Sequence, residues 1–257
     1  MRETLERSGL LWVPSRREML GALGVGLLTS RIARSATFTL LTHASGYFDT
    51  PISFDSTGAD LLVAVFVGYT DVGAQTPDDK GNNWITAIAV DEPGTPNHMK
   101  IMYVANPIVG SGHLLNYAGG SSSYTGAAVA CSSGSTLTSP LDPSSTSAIG
   151  SGTSISPGSI TPTMSNELAI SAMGARNSST APTVSGNGIS IIDAMGNHGT
   201  YGWAMGMGYA IQTAAVAVNP AWSLSSSGCV AATVAFKSTS STIGGSSVRH
   251  RVISGGE

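Results

Sequence analysis

Short apolar runs and polar, turn-forming stretches alternate along most of the chain. "LLVAVFVG" (61–68), "NELAISAMGA" (166–175) and "CVAATVAFK" (229–237) are rich in β-branched and small residues and are bounded by Gly, Ser, Asn or Pro. That is the pattern of many short strands joined by turns. Leu61–Val67 and Leu168–Met173 are apolar at nearly every position, not at alternate ones. Such segments are expected at the centre of a sheet or buried on both faces. "DDKGNNW" (78–84) places Gly81 and Asn82 between extended segments. It predicts a hairpin turn, because both residues tolerate positive φ.

The same order of segments occurs twice. "GADLLVAVFVG" (58–68) matches "SNELAISAMGA" (165–175), and "KGNNWITAI" (80–88) matches "SGNGISIID" (185–193). "KIMYVANP" (100–107) matches "MGMGYAIQT" (205–213), and "GAAVACS" (126–132) matches "AATVAFK" (231–237). Four collinear matches at a near-constant offset predict two repeated halves, about 37–138 and 139–238. One half would leave an apolar sheet face wet. Two halves packed face to face would bury it, giving a two-sheet β-sandwich over 37–238 with a polar tail at 239–257. Two separate small domains is the alternative. The join (139–163) is Ser, Gly and Pro rich and reads as a linker or a crossover between sheets; Leu141, Ile149, Ile155 and Ile160 give it something to pack and favour the crossover.

Charge changes the picture at the amino terminus. Only 11% of residues are charged, against about 25% in ordinary soluble domains. Residues 1–36 hold six Arg against three Glu, and the rest holds six basic against twelve acidic residues. An acidic body lacks the basic surface that displaces counterions from phosphate, so nucleic acid and anionic membranes are excluded as partners. Ser15-Arg16-Arg17-Glu18-Met19-Leu20, a glycine-broken apolar run to Leu28 and small residues to Ala36 resemble a twin-arginine export signal. The run is too short to span a bilayer, which needs about 20 apolar residues. The resemblance implies recognition of Arg16 and Arg17 by the bacterial twin-arginine export machinery, removal of residues 1–36, and a secreted, periplasmic or cell-surface product with no membrane attachment after processing. A surface helix and a retained arm on a virion or filament subunit are the competing readings.

The body carries little recognisable chemistry. Glycosidase work needs two carboxyls about 5–10 Å apart. Asp78-Asp79 and Asp91-Glu92 are adjacent pairs beside Pro or Gly and read as turns. His43, His98, His113, His198 and His250 have no zinc-type spacing, and His98 and His198 read as solvent-facing loop residues. Asp71, Asp78 and Asp79 offer oxygen ligands for calcium but lack the ordered spacing of an EF-hand. There is no nucleophile elbow or phosphate loop, and no Ser–His–acid set is legible from spacing. No catalytic residue, metal or cofactor is predicted.

Trp84, Trp203 and Trp222, with Tyr201 beside Trp203, are the candidate ligand-contacting aromatics of a glycan-binding surface. The competing role is core filling, which large aromatics often serve in Gly- and Ala-rich sandwiches. Cys131 and Cys229 bracket the closing strands of the two halves. Paired antiparallel, those strands would bring the cysteines within disulfide reach, about 5.5 Å between Cα atoms. Cys131 aligns with Phe236 and not with Cys229, which favours two buried free thiols instead.

"STGADLLVAVFVG", "PDDKGNNW", "MYVANP", "SPLDPSS…GSGTSISPGSITPTMSNELAISAMGA" and the closing "CVAATVAFK" resemble a group of secreted bacterial and phage-associated proteins. These look like jelly-roll, lectin-like β-sandwich modules. The resemblance covers roughly 37–238. It implies an all-β, jelly-roll-like sandwich with adhesion, surface-display or glycan-contact roles and no catalytic residue. The expectation is therefore an exported non-enzymatic surface, adhesion or structural module. A glycan-binding module, and a self-assembling virion or filament subunit, are the alternatives.

Overall fold

The computed structural model describes residues 37–47, 50–68, 78–95, 97–116, 124–186, 188–198, 202–225 and 228–238. Every regular element among them is a strand, and all pairings are antiparallel. The first five-stranded sheet runs β1 (Thr39–Tyr47), β7 (Tyr124–Ser132), β3 (Leu61–Gly68), β5 (His98–Ala105), β4 (Ile85–Asp91). The second runs β8 (Leu141–Gly150), β15 (Cys229–Phe236), β10 (Leu168–Ala175), β13 (Trp203–Ile211), β12 (Ser190–His198). Each member of the four matched segment pairs contributes a strand at the corresponding place in its own sheet.

The two sheets pack face to face. Leu61, Val63, Val65 and Val67 of β3 share one core with Leu168, Ile170 and Ala172 of β10, and with Trp203, Met205, Met207 and Phe236. The alternate residues of these strands are buried on the opposite side. Leu62, Ala64 and Phe66 lie under β2 (Ile52–Phe54) and β6 (His113–Leu115), which form a small two-stranded sheet. Met173 and Ala175 meet Trp222 and Ile155, and Ala169 meets Ile160 and Val218. These belong to or flank a three-stranded sheet of β11 (Thr183–Ser185), β14 (Ala221–Ser223) and β9 (Ser154–Ile155). The central strands are thus covered on both faces, which is why β3, β10 and β15 are buried throughout and show no polar alternation. Each fully buried Val, Leu or Ile there contributes about 1.5–3 kcal/mol.

Two local expectations are corrected. Among the described residues the 78–84 turn joins no two paired strands: β3 pairs with β5 and β7, while β4 pairs with β5. The turn forms for another reason, a buried carboxylate described below. The 139–163 segment is mainly neither linker nor crossover. Residues 141–150 form β8, the edge strand of the second sheet. Its Ser/Thr-rich alternation reflects an edge with one covered face. Ile155 and Ile160 are buried as expected, whereas Ile149 is exposed.

Candidate functional site

Asp78 organises the loop ahead of β4. Its Oδ1 accepts from the backbone N–H groups of Lys80 (3.1 Å), Gly81 (2.8 Å) and Asn82 (3.1 Å). Gly81 sits at φ 77°, which lets the chain turn back over the carboxylate. Oδ2 accepts from Asn82 Nδ2 and Trp84 Nε1, both at 2.8 Å. Burial pushes the Asp78 pKa up, but the donors of Asn82 and Trp84 and the neighbouring His113 outweigh it and hold the carboxyl below its usual range.

His113 on β6 faces this hub. Its Nε2 lies 3.2 Å from Asp78 Oδ2, close but without a well-aligned acceptor. Its Nδ1 lies 2.8 Å from Ser56 Oγ, and its ring stacks on Phe54 with centroids 4.7 Å apart. Ser56, His113 and Asp78 have the composition of a hydrolase triad, yet Ser56 and His113 are 0% exposed. The Ser56 hydroxyl also accepts from Gly110 N at 3.0 Å. A sealed hydroxyl held in this way has no path to a substrate, so the set is a framework that ties loop 78–84, β6 and the segment after β2 together.

A second polar set lies at one margin of the sandwich, where β1 meets β12. His43 Nδ1 is 3.0 Å from Asp193 Oδ2, and Ser45 Oγ donates to Asp193 Oδ1 at 3.0 Å. Tyr47 donates its phenol to Gly196 O at 3.3 Å. Register shifts at Leu40/Thr42 and Ile191/Asp193 set His43 opposite Val129 and Asp193 opposite Met207, both core residues between the sheets. At the other margin the corresponding places hold Ile88, opposite Ile101, and Ser145, opposite Val234. The polar trio therefore distinguishes one margin from the other. The carboxylate only accepts, so His43 donates Nδ1–H to it and its other ring nitrogen is left for outside partners; the side chain is 44% exposed. Beside it is a shallow depression of about 410 Å³ lined by Ser45, Gly46, Tyr47, Thr50, Pro51, Ile52 and Ser53.

The candidate aromatics are placed in the interior. Trp203 and Trp222 are 0% exposed and Trp84 is 9% exposed. Trp203 fills the core between the sheets, and Trp222 donates to Ser171 Oγ at 3.0 Å beneath the three-stranded sheet. These three fill the core and do not offer a ligand surface. Tyr201, Arg16 and Arg17 lie outside the described residues, as do Asp71 and His250. Cys131 and Cys229 are free buried thiols, not a disulfide. Their strands, β7 and β15, belong to different sheets and do not pair. Burial, with Asp60 nearby, pushes the Cys131 thiol up to about 12.

The four histidines among the described residues lie on strands and not in loops, His43 on β1 among them. His98 opens β5 with Nδ1 2.7 Å from Asp91 Oδ1, His198 ends β12, and His113 is buried on β6. Among the described residues, no group of three or more His, Cys, Asp or Glu side chains is arranged to hold a metal. Sequence spacing carries no sign that His43 and Ser45 meet Asp193, or that Ser56 and Asp78 meet His113. His43 and Asp193 are 150 positions apart, so nothing local signals their meeting. The Asp78-x-x-x-Asn82-x-Trp84 order was the one available clue. No protein-family model, curated protein or solved structure matches the chain.

Proposed function

We propose that the protein is an exported, non-enzymatic β-sandwich module of a bacterial cell surface or secreted fraction, acting by surface contact in adhesion, display or structural assembly. The observation that carries this reading is the use made of its catalytic-type residues. Ser56, His113 and Asp78 are sealed and committed to holding loops, while the edge strands of the two large sheets expose apolar side chains, Leu41, Ile85, Ile149 and Ile191. The matched strand order of the two large sheets supports reading the module as two copies of one half.

The His43–Asp193–Ser45 set beside its depression favours a second reading, a site for a polar ligand such as a glycan. An oriented imidazole and neighbouring hydroxyls are suited to hydrogen-bonding sugar hydroxyls.

One preparation tests both. Protein recovered from its native host should have lost about 35 amino-terminal residues, and a variant carrying Arg16→Lys and Arg17→Lys should accumulate as precursor in the cytoplasm. An unprocessed native mass would instead favour a virion or filament subunit. On a glycan array, binding lost in His43→Ala supports the second reading, and absence of binding leaves the contact module.

A further inference from the structure

The margin where β1 meets β12 has a one-sided hydrogen-bonding character. His43, Ser45 and Tyr47 occupy alternate positions in a regular stretch of β1, so their side chains project from one face of the strand. That face meets Asp193 and Gly196 of β12, in the other large sheet. Each of the three gives a proton to the protein itself. His43 donates Nδ1–H to Asp193 Oδ2 and Ser45 donates its hydroxyl to Asp193 Oδ1, both at 3.0 Å; Tyr47 donates its phenol to Gly196 O at 3.3 Å.

The groups turned outward are therefore acceptors. A hydroxyl has one proton and two lone pairs, so Ser45 Oγ, with its proton given to Asp193, accepts from a ligand. So does Nε2 of an imidazole whose proton sits on Nδ1. The Asp193 carboxylate adds a negative charge, and its side chain is 14% exposed beside the more open His43. Ser45 also lines the neighbouring depression, whose lining residues include no Lys, Arg or His. The chain after residue 36 holds six basic against twelve acidic residues, so the longer-range field has the same sign. An ammonium group has three N–H donors, no acceptor and a positive charge, and its hydrogen bonds to such acceptors are charge-assisted. A neutral sugar hydroxyl donates here too, but gains nothing from the carboxylate's charge.

We propose that this margin is a site for an amine-bearing sugar: a protonated primary amine docks against Asp193 and Ser45, and a neighbouring ligand hydroxyl donates to His43 Nε2. The proposal rests on the reading of the margin as a polar-ligand site and names the class of ligand, a cation with donors in excess of acceptors.

The test is calorimetric titration of the full chain at neutral pH and low ionic strength. The probes are a glucose oligomer whose primary hydroxyls are replaced by amines, the N-acetylated form of that oligomer, and the unmodified oligomer. Alkylamines are protonated at neutral pH, so only the first carries charge. It is expected to bind about tenfold or more tighter than either neutral probe, and added salt should narrow the gap. Asp193→Asn should abolish the preference, with thermal unfolding reporting that the fold persists. His43→Ala, at an exposed side chain, should weaken binding of the amine probe. Asp91→Asn, on β4 at the opposite edge of the first sheet, should leave the preference intact. Equal binding of the three probes, or tighter binding of a neutral one that depends on His43, would overturn the amine and keep the polar-ligand site. A preference lowered as much by Asp91→Asn as by Asp193→Asn would show general attraction to an acidic surface and overturn the proposal. No binding of any probe would overturn it too and, with a silent glycan array, the polar-ligand reading as well.

Discussion

Five donors converge on the Asp78 carboxylate: three backbone N–H groups, the Asn82 amide and the Trp84 indole. Removing the acceptor strands them in a region where Trp84 and Asn82 are buried. Unsatisfied buried groups cost far more than the net worth of a hydrogen bond. Asp78→Ala is therefore expected to lower unfolding free energy by about 3–5 kcal/mol, read from urea denaturation at neutral pH. A loss below about 1 kcal/mol would show that water satisfies the loop. The pH dependence has a definite sign. The folded pKa lies below the ordinary carboxylate value of 3.8, so the stabilisation is present above that value and is lost as pH falls through the folded pKa. The acid-side decline should be shallower in Asp78→Ala.

Elements covered on both faces leave a strong mark in sequence, and elements at edges do not. Uninterrupted apolar runs identified β3, β10 and β15 because no position of theirs meets water. β8 hid behind serines and threonines, since a strand with one covered face and an open edge needs few apolar residues. The His43–Asp193 contact was illegible because it depends on two register shifts and on the stacking of sheets from opposite ends of the chain. The outer sheets leave a subtler sign in glycine. Gly206 on β13 lies beneath Trp222 and Pro182, and a Cβ there would overlap the Trp222 ring and come within 2.9 Å of Pro182 Cγ. Both lie in or beside the three-stranded sheet, so hydrogen at this position sets how closely that sheet approaches. Gly206→Ala is expected to destabilise by about 1–3 kcal/mol through overpacking, measured by denaturant midpoint. Unchanged stability would mean that the outer sheet shifts freely.

At the scale of the whole molecule, the second sheet is fastened by a pair of buried carboxyls. Asp142 is the second residue of β8 and is 1% exposed; Glu167, just before β10, is 0% exposed. Thr163 lies between them, its hydroxyl donating to Asp142 Oδ2 and standing 3.3 Å from Glu167 Oε1. Ser144 N donates to Asp142 at 2.7 Å, and Met164 N to Glu167 at 2.7 Å. The two acids are driven apart. Burial raises the Asp142 pKa, but donors from Thr163 and Ser144 outweigh it and leave it below 3.8. Burial raises the Glu167 pKa above 4.5; the Met164 N–H opposes this, and the Asp142 charge adds to it. For Asp142 the stabilisation is present above its unfolded value and lost as pH falls through its depressed folded pKa. For Glu167 it is complete below its unfolded value and lost as pH rises through its raised folded pKa. The pair thus contributes most between those two folded values, on the acid side of neutrality. Glu167→Gln keeps the shape and removes the upper titration. Its unfolding free energy should gain on wild type steadily as pH rises through the folded Glu167 pKa, and the gap should level off above it. Parallel pH profiles for the two proteins would show that Glu167 titrates as it does in the unfolded chain, and that the pair is not what holds β8 to β10.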